Sequence, residues 1–469
     1  MAFGIDFGTT NTAVVECLST EHATTKTVYG ENNQPFPSLV ALHPVNDPVF
    51  GWEVKKRRSQ LIADGYHVVA SFKSILGSSD CIKVGEKQYS PLDVTALFLS
   101  YVKKRVEDMS GRKMVEAVIA IPVDFQPDQR RNLREAAARA GINVKSFVSE
   151  PTAAYVNCRD ELAGASNVAV FDWGGGTLDI SMISVENHEV AELAVAGQRL
   201  GGNDIDQMLA RHIHARVMQK AAEARYFDDL TPAERDQIIE RSEEAKKRLS
   251  DEDSAPVRLM RYAGKTMVIE NVSLDEFSKL IESRVNEAER LLHVAADKAG
   301  VGLGQMDAIL MVGGSCEMQP IYQRMEKIGE EYHLNVCRPD AIQWSVAGGA
   351  AILSERRPAY RLQNSFGVLL SDDSFYPIFD AGQIAPCKAP ELRFGVVEDT
   401  TSAVFVFADS NKNVMKRKSV PIKGFTAEGI HLQCEIDSDM IVHLKIFSDY
   451  AERMAVSDQL NQLAFTYKI

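Results

Sequence analysis

The segment Ile5-Asp6-Phe7-Gly8-Thr9-Thr10-Asn11 returns in design far downstream, as Phe171-Asp172-Trp173-Gly174-Gly175-Gly176-Thr177-Leu178-Asp179. In each copy an apolar strand ends in Asp, a tight turn of Gly and Thr follows, and a second apolar strand begins. Glycines let the backbone approach a polyphosphate closely, with N–H groups pointing at its oxygens. Threonine hydroxyls add donors, and an Asp at a strand end can hold hydrated Mg²⁺ against the phosphates. One copy alone reads as an ordinary Gly-rich hairpin. Two matched copies predict a fold in which the hairpins face each other and grip a nucleotide tail from both sides. The chain has no G-x-x-x-x-G-K-[ST] loop and no G-x-G-x-x-G dinucleotide fingerprint.

The 469 residues allow about three folded units. Short apolar runs at 3–6, 117–121, 168–172, 180–185 and 308–312 predict strands, with long periodic segments between them. A helix is expected over 93–109, stopped by Gly111. Thr231-Pro232-Ala233-Glu234 and Ser273-Leu274-Asp275-Glu276 read as capping boxes. The second opens a helix that ends near Gly300. This alternation predicts an α/β region. From Ser365 onward, short β-rich runs at 403–408, 431–436 and 441–447 predict a β-sandwich. The polar stretch from Ser354 to Pro358 reads as a linker.

Composition narrows the partners. Asp and Glu number 65 against 52 Lys and Arg, a net charge of −13, so no basic field exists to steer the chain to nucleic acid or an anionic membrane. No apolar run is long enough to span a bilayer and no signal peptide is visible. Seven scattered cysteines without C-x-x-C favour reduced thiols, hence a cytoplasmic setting. The histidines form no metal signature, and His212 and His214 are expected to serve structure or face solvent.

With the two hairpins, several further segments carry a resemblance. They are Ser71-Phe72-Lys73-Ser74-Ile75-Leu76-Gly77, Ala120-Ile121-Pro122, Ser149-Glu150-Pro151-Thr152-Ala153-Ala154, Leu200-Gly201-Gly202-Asn203-Asp204 and Val312-Gly313-Gly314-Ser315. Together they resemble the ATPase domain of the seventy-kilodalton heat-shock chaperones, the DnaK-like proteins, within the actin and sugar-kinase superfamily. Glu398-Asp399 and Ile436-Asp437-Ser438-Asp439 resemble that family's β-sandwich substrate domain. The implied fold is α/β. A two-lobed actin-like ATPase domain is expected over 1–354, with lobes of about 1–166 and 167–354. A linker follows over 355–364 and a small all-β sandwich over 365–469, and no helical lid is expected after it.

The resemblance implies ATP or ADP with Mg²⁺, and K⁺, as cofactors. It places Asp6 and Asp172 on Mg²⁺ through water. Thr9, Thr10 and Thr177 would bond phosphates within loops that include Gly8 and Asn11, with Gly174, Gly175, Gly176, Gly201 and Gly202 as backbone donors. Gly313, Gly314 and Ser315 would complete the nucleotide site. Lys73 would set charge on the γ-phosphate and orient the attacking water, and Glu150 and Asp179 would polarise that water or bind an accompanying cation. Glu243, Lys246, Lys247 and Ser250 fall on the adenosine side. Phe394, Val397 and Val404 fall where a peptide cleft is lined.

Departures mark the regulation. Lys247 and Glu317 stand where two arginines usually clamp the adenine, and lysine does not stack as a guanidinium does. Ser146 stands where an arginine often meets a J-domain co-chaperone, which puts that partner in doubt; a nucleotide exchange factor is the other co-chaperone implied. The apolar interdomain linker is replaced by a stretch rich in arginine. The expected function is ATP-driven chaperoning of protein or peptide clients. The alternatives are a nucleotide-gated adaptor for one dedicated partner and a small-molecule kinase of the same superfamily.

Overall fold

The computed structural model describes residues 2–19, 24–221, 224–355, 360–396, 401–422, 429–449, 455–460 and 463–469. The chain is mixed α/β and forms two compact units. The first comprises residues 1–123, 135–185 and 193–355. The second comprises 124–134, 186–192 and 356–469.

In the first unit the duplicated hairpin has become a duplicated sheet. Strand Ala2–Phe7 runs antiparallel to Asn11–Ser19 and parallel to Glu116–Ile121, which runs parallel to Asn143–Ser149. Strand Asn167–Trp173 runs antiparallel to Leu178–Glu186 and parallel to Ala308–Val312, which runs parallel to Asn335–Cys337. Parallel neighbours need long crossovers, and helices supply them. The strand cores are continuous apolar runs, as strands buried on both faces require. Ala308–Val312 is buried at every position.

Close packing fixes these layers. A Cβ on Gly4 would stand 2.2 Å from the backbone N of Ala351, in the helix Ser345–Ser354. A Cβ on Gly349 of that helix would meet the carbonyl oxygen of Ala153 at 1.7 Å. The helices Glu150–Asn157 and Ser345–Ser354 therefore touch backbone to backbone. Helix Pro91–Ser110 is capped by Ser90 and stopped by Gly111 in the left-handed conformation, and its Phe98 packs on Phe7 and Phe72. Helix Pro232–Arg248 has the full Thr231/Glu234 capping box. At Ser273 only half of the box forms. Ser273 accepts from the Glu276 N–H, but the Glu276 carboxylate is drawn away to Arg216 and His212. His214 is buried between the Tyr262 hydroxyl and the Arg225 carbonyl, so both histidines serve structure.

The second unit holds two antiparallel sheets. One has the order Phe375–Phe379, Phe366–Leu369, Ser402–Asp409, Val414–Pro421. The other has Cys387–Lys388, Ile430–Ile436, Val442–Ser448, Val456–Leu460, with Leu392–Phe394 also on Ile430–Ile436. Their inward faces share one core that includes Phe366, Phe405, Phe407, Leu432, Leu444 and Ile446. Residues 438–439 turn the chain between Ile430–Ile436 and Val442–Ser448.

Two corrections concern the boundaries. Tyr360–Leu362, expected within a linker over 355–364, is a strand paired with Phe465–Lys468 and Ile384–Ala385. Leu362 is buried and Tyr360 packs edge-on against Tyr467, so apolar contact pulls this stretch into the sheet. Arg356 to Ala359 lie outside the described residues. The second unit also takes in residues 124–134, earlier in the chain than the expected boundary. There Arg130 donates to the Asp439 carbonyl at 2.7 Å and Arg134 pairs with the Asp439 carboxylate.

Candidate active site

The two hairpin turns meet. A Cβ on Gly175 would stand 2.7 Å from Thr10 Oγ1, and one on Gly176 would stand 3.8 Å from Thr9 Cγ2. Glycine is required at 175 because no side chain fits between the turns. Gly8 is required by its own turn, since a Cβ would lie 2.2 Å from the Asn11 carbonyl oxygen. Ser38 holds the first turn from below, donating its backbone N–H to Thr10 O and its hydroxyl to Gly8 O, each at 2.8 Å. Nothing in the local sequence around Ser38 signals this role.

The second turn is held from behind. Ser315 Oγ donates to Gly174 O at 2.8 Å, and Gly202 N–H donates to the same carbonyl at 3.0 Å. Gly313 adopts a φ of +80°, and a Cβ there would lie 2.5 Å from Asp172 Oδ1. The Val312-Gly313-Gly314-Ser315 segment thus passes directly behind the second Asp. Three of the five expected backbone donors are corrected here. The N–H groups of Gly174, Gly201 and Gly202 are taken up by Thr177 O, Asp204 Oδ2 and Gly174 O. Those bonds hold the turn in shape, and Gly175 and Gly176 are the members of that set that lie against the other hairpin.

Acidic residues gather around the junction. Lys73 Nζ donates to Glu150 Oε1 at 2.9 Å, and both side chains are largely buried. Lys73 also stands 5.9 Å from the Phe7 ring centroid. Burial, with the neighbouring Glu150, pushes the Asp6 carboxyl up to about 7 against the pull of Lys73. Asp172 is raised well above its ordinary value by burial first, then by Glu150, Asp6 and Asp179. Burial works against the charge on Lys73, but Glu150 and Asp6 outweigh it and hold the ammonium protonated. Asp6, Glu150, Asp172 and Asp179 thus all lie within electrostatic reach of Lys73. Such a site favours added cations.

The residues expected on the adenosine side are drawn into pairs of their own. Lys246 is buried, donates to Gly202 O at 3.0 Å and pairs with Asp206 at 2.8 Å. Burial raises Asp206 to about 6 although Lys246 pulls it down. Lys246 is therefore a strut beneath Gly202, with two of its three N–H donors directed at Gly202 O and Asp206. Glu243 lies between Lys55 at 2.8 Å and Lys247 at 2.9 Å, and these cations hold its pKa at about 2 despite burial. Lys55 and Asp206 are partners that sequence reading missed. Asp206 lies four residues beyond Gly202 on the same helix, a spacing that could have pointed to it. The Ser250 carbonyl accepts from Gln319 at 3.1 Å. The surrounding protein raises Glu317, while Lys247 and Arg338 lower it.

Of the residues expected at a peptide cleft, Phe394 and Val404 are described, and these two do not share a surface. Phe394 packs edge-on against Tyr376 and Phe405. Val404 is 58% exposed, on the opposite face of its strand from Phe405. Val397 lies outside the described residues, as do Glu398 and Asp399. Ser146 is buried and presents no side chain to a partner. No helix among the described residues is long and apolar enough to cross a membrane.

Two comparisons bear on this arrangement. Residues 79–431 match the family model described as Hsp70 protein. The chain is 27% identical over 440 residues to the chaperone protein DnaK of Metamycoplasma hominis, covering 91% of this chain and 72% of the relative. A family match over three-quarters of the sequence, joined to paired phosphate-type hairpins around an acidic cleft, places the protein: it belongs to the Hsp70 family, whose members are ATP-dependent chaperones.

Proposed function

We propose that this chain hydrolyses ATP and binds protein clients, as a divergent Hsp70 with a two-lobed ATPase domain and a C-terminal β-sandwich. The observation that carries the reading is the Lys73–Glu150 pair at 2.9 Å beside two Asp-ended hairpins whose turns abut. Thr9, Thr10 and Thr177, with the N–H groups of Gly175 and Gly176, supply donors for phosphate oxygens. Lys73 carries the charge that meets the terminal phosphate. Glu150 and Asp179 orient a water for attack on phosphorus, with the leaving ADP oxygen in line behind it.

The carboxylates fit a hard cation. A hydrated divalent cation can be held by a few carboxylates through its water shell. Asp6 and Asp172 would hold Mg²⁺ in that way, and the surplus of carboxylates suits K⁺ as an accompanying ion. Magnesium supplies charge neutralisation on the phosphates when bound. Base binding is weak in this reading. Lys247 is committed to Glu243, and a Lys/Glu pair replaces two stacking guanidinium groups. Clients, a nucleotide exchange factor and a cytoplasmic setting belong to the same proposal. A J-domain partner would have to dock without an arginine at Ser146.

Measuring phosphate release from ATP by the purified chain, with Mg²⁺, with EDTA, and in K⁺ against Na⁺, tests this. Turnover that needs Mg²⁺ and rises in K⁺ supports the ATPase. ATP binding with no turnover under any condition would favour the alternative, a nucleotide-gated adaptor for one dedicated partner.

A further inference from the structure

A histidine on the outer face of the second unit is held from both sides. His431 Nδ1 lies 2.7 Å from Glu391 Oε1, and Nε2 lies 2.7 Å from Asp449 Oδ1. An ionised carboxylate only accepts hydrogen bonds, and a neutral imidazole donates through one nitrogen. Both contacts are hydrogen bonds only when the ring carries two protons. The geometry by itself therefore calls for the imidazolium.

The surroundings decide what happens when that proton leaves. Glu391 and Arg393 face the ring from the segment of strand Leu392–Phe394. Gln433 comes from its own strand. Lys445, Phe447 and Asp449 come from Val442–Ser448 and the residue after it. The ring stacks on Phe447 at 5.0 Å and 6°, and Lys445 Nζ lies 5.4 Å from the Phe447 centroid. Asp449 keeps two other donors, Arg393 at 2.9 Å and the Gly429 N–H at 3.0 Å. Glu391 keeps one side-chain donor, Gln433 at 2.8 Å. Loss of the proton sets a lone pair against one carboxylate, and Glu391 is the less tethered of the two.

We infer that His431 is a pH-dependent clasp on strand Leu392–Phe394. Charged, it ties Glu391 at the strand's entrance to the neighbouring strand; neutral, it leaves Glu391 held there by Gln433 alone. The strand has three residues, and its register on Ile430–Leu432 sets Arg393 opposite His431 and Phe394 opposite Ile430. So short a strand depends on side-chain anchors. The hydrogen bond to Asp449, aided by Glu391, holds the imidazole above its ordinary 6.5. The clasp is then fully present below about 6.5 and lost as pH rises through the raised value. Any effect on clients rests on the proposed role of Phe394; the clasp does not.

The test is carried out on the full chain, by NMR titration of the His431 ring and by amide exchange at residues 392–394 from about pH 5.5 to about pH 9. The expected ring midpoint lies above 6.5. Protection of these amides, corrected for the intrinsic rate, should fall about threefold or more across that midpoint. His431→Gln should remove the step. Glu391→Gln, which keeps the ring should the first variant fail to fold, should lower the midpoint by roughly half a pH unit or more. A midpoint at or below 6.5, a midpoint unmoved in Glu391→Gln, or the same protection step in wild type and His431→Gln would overturn the clasp.

Discussion

Asp6 stands in an environment at odds with its charge. Its carboxyl is raised to about 7 by burial first and Glu150 second, from 3.8. A group with a raised folded pKa contributes stability that is whole below the unfolded value and lost as pH rises through the folded one. The nucleotide-free protein therefore loses stability through Asp6 between about pH 4 and pH 7, and Asp172 acts in the same direction. Asp6→Asn removes the charge. Its melting temperature should gain on wild type as pH rises to about 7, at up to about 1.4 kcal/mol per pH unit, and then level off. Thermal melts across this range check it, and a difference that stays constant with pH would contradict the assignment. Lys246 makes the opposite case, a buried charge already matched. Lys246→Met leaves Asp206 without its partner and should cost about 3–5 kcal/mol in denaturant unfolding. A ribose-binding lysine on the surface would show almost no loss.

At the scale of elements, the contact of helices Glu150–Asn157 and Ser345–Ser354 is the tightest joint in the first unit. A methyl group on Gly349 would overlap the Ala153 carbonyl, so Gly349→Ala should destabilise by about 1–3 kcal/mol or more. Because that joint positions Glu150, nucleotide turnover should fall with it, and a stable, fully active variant would contradict the packing. The elements themselves were legible. The strand at 308–312, the Gly111 and Gly300 stops and the Thr231 cap all follow from local pattern, which requires only neighbours in sequence. The half-formed box at Ser273 was not, because Arg216 and His212 compete for Glu276 from another helix. For the same reason the sequence showed the carboxylates and Lys73 of the site but not Ser38, Lys55 or Asp206. Ser38 and Lys55 lie far in the chain from the groups they hold and carry no motif, and Asp206 had only its spacing from Gly202 to mark it. The adenosine side misled through residue type: Lys246 has the expected identity, yet a buried Asp206 claims it.

At the scale of the whole molecule, the question is how ATP turnover relates to clients. Coupling by linker docking needs apolar surface that changes partners between two states, since a ligand shifts an equilibrium only by its differential affinity. Leu362, the single leucine of the 354–364 stretch, is already buried in the hydrophobic core of the second unit. Freeing it would forfeit about 1.5–3 kcal/mol of burial. A saturating hydrophobic peptide should therefore change steady-state ATP turnover by less than about twofold. Several-fold stimulation would reveal a coupling route outside this stretch. Beneath that lies the claim that the cleft hydrolyses ATP through Lys73 and Glu150. Single-turnover hydrolysis by Lys73→Ala, with nucleotide affinity measured alongside, tests it most directly. The hairpins and the paired aspartates survive the change, so affinity should move by less than about tenfold. Hydrolysis should fall by roughly a hundredfold or more. Hydrolysis at the wild-type rate would contradict the account.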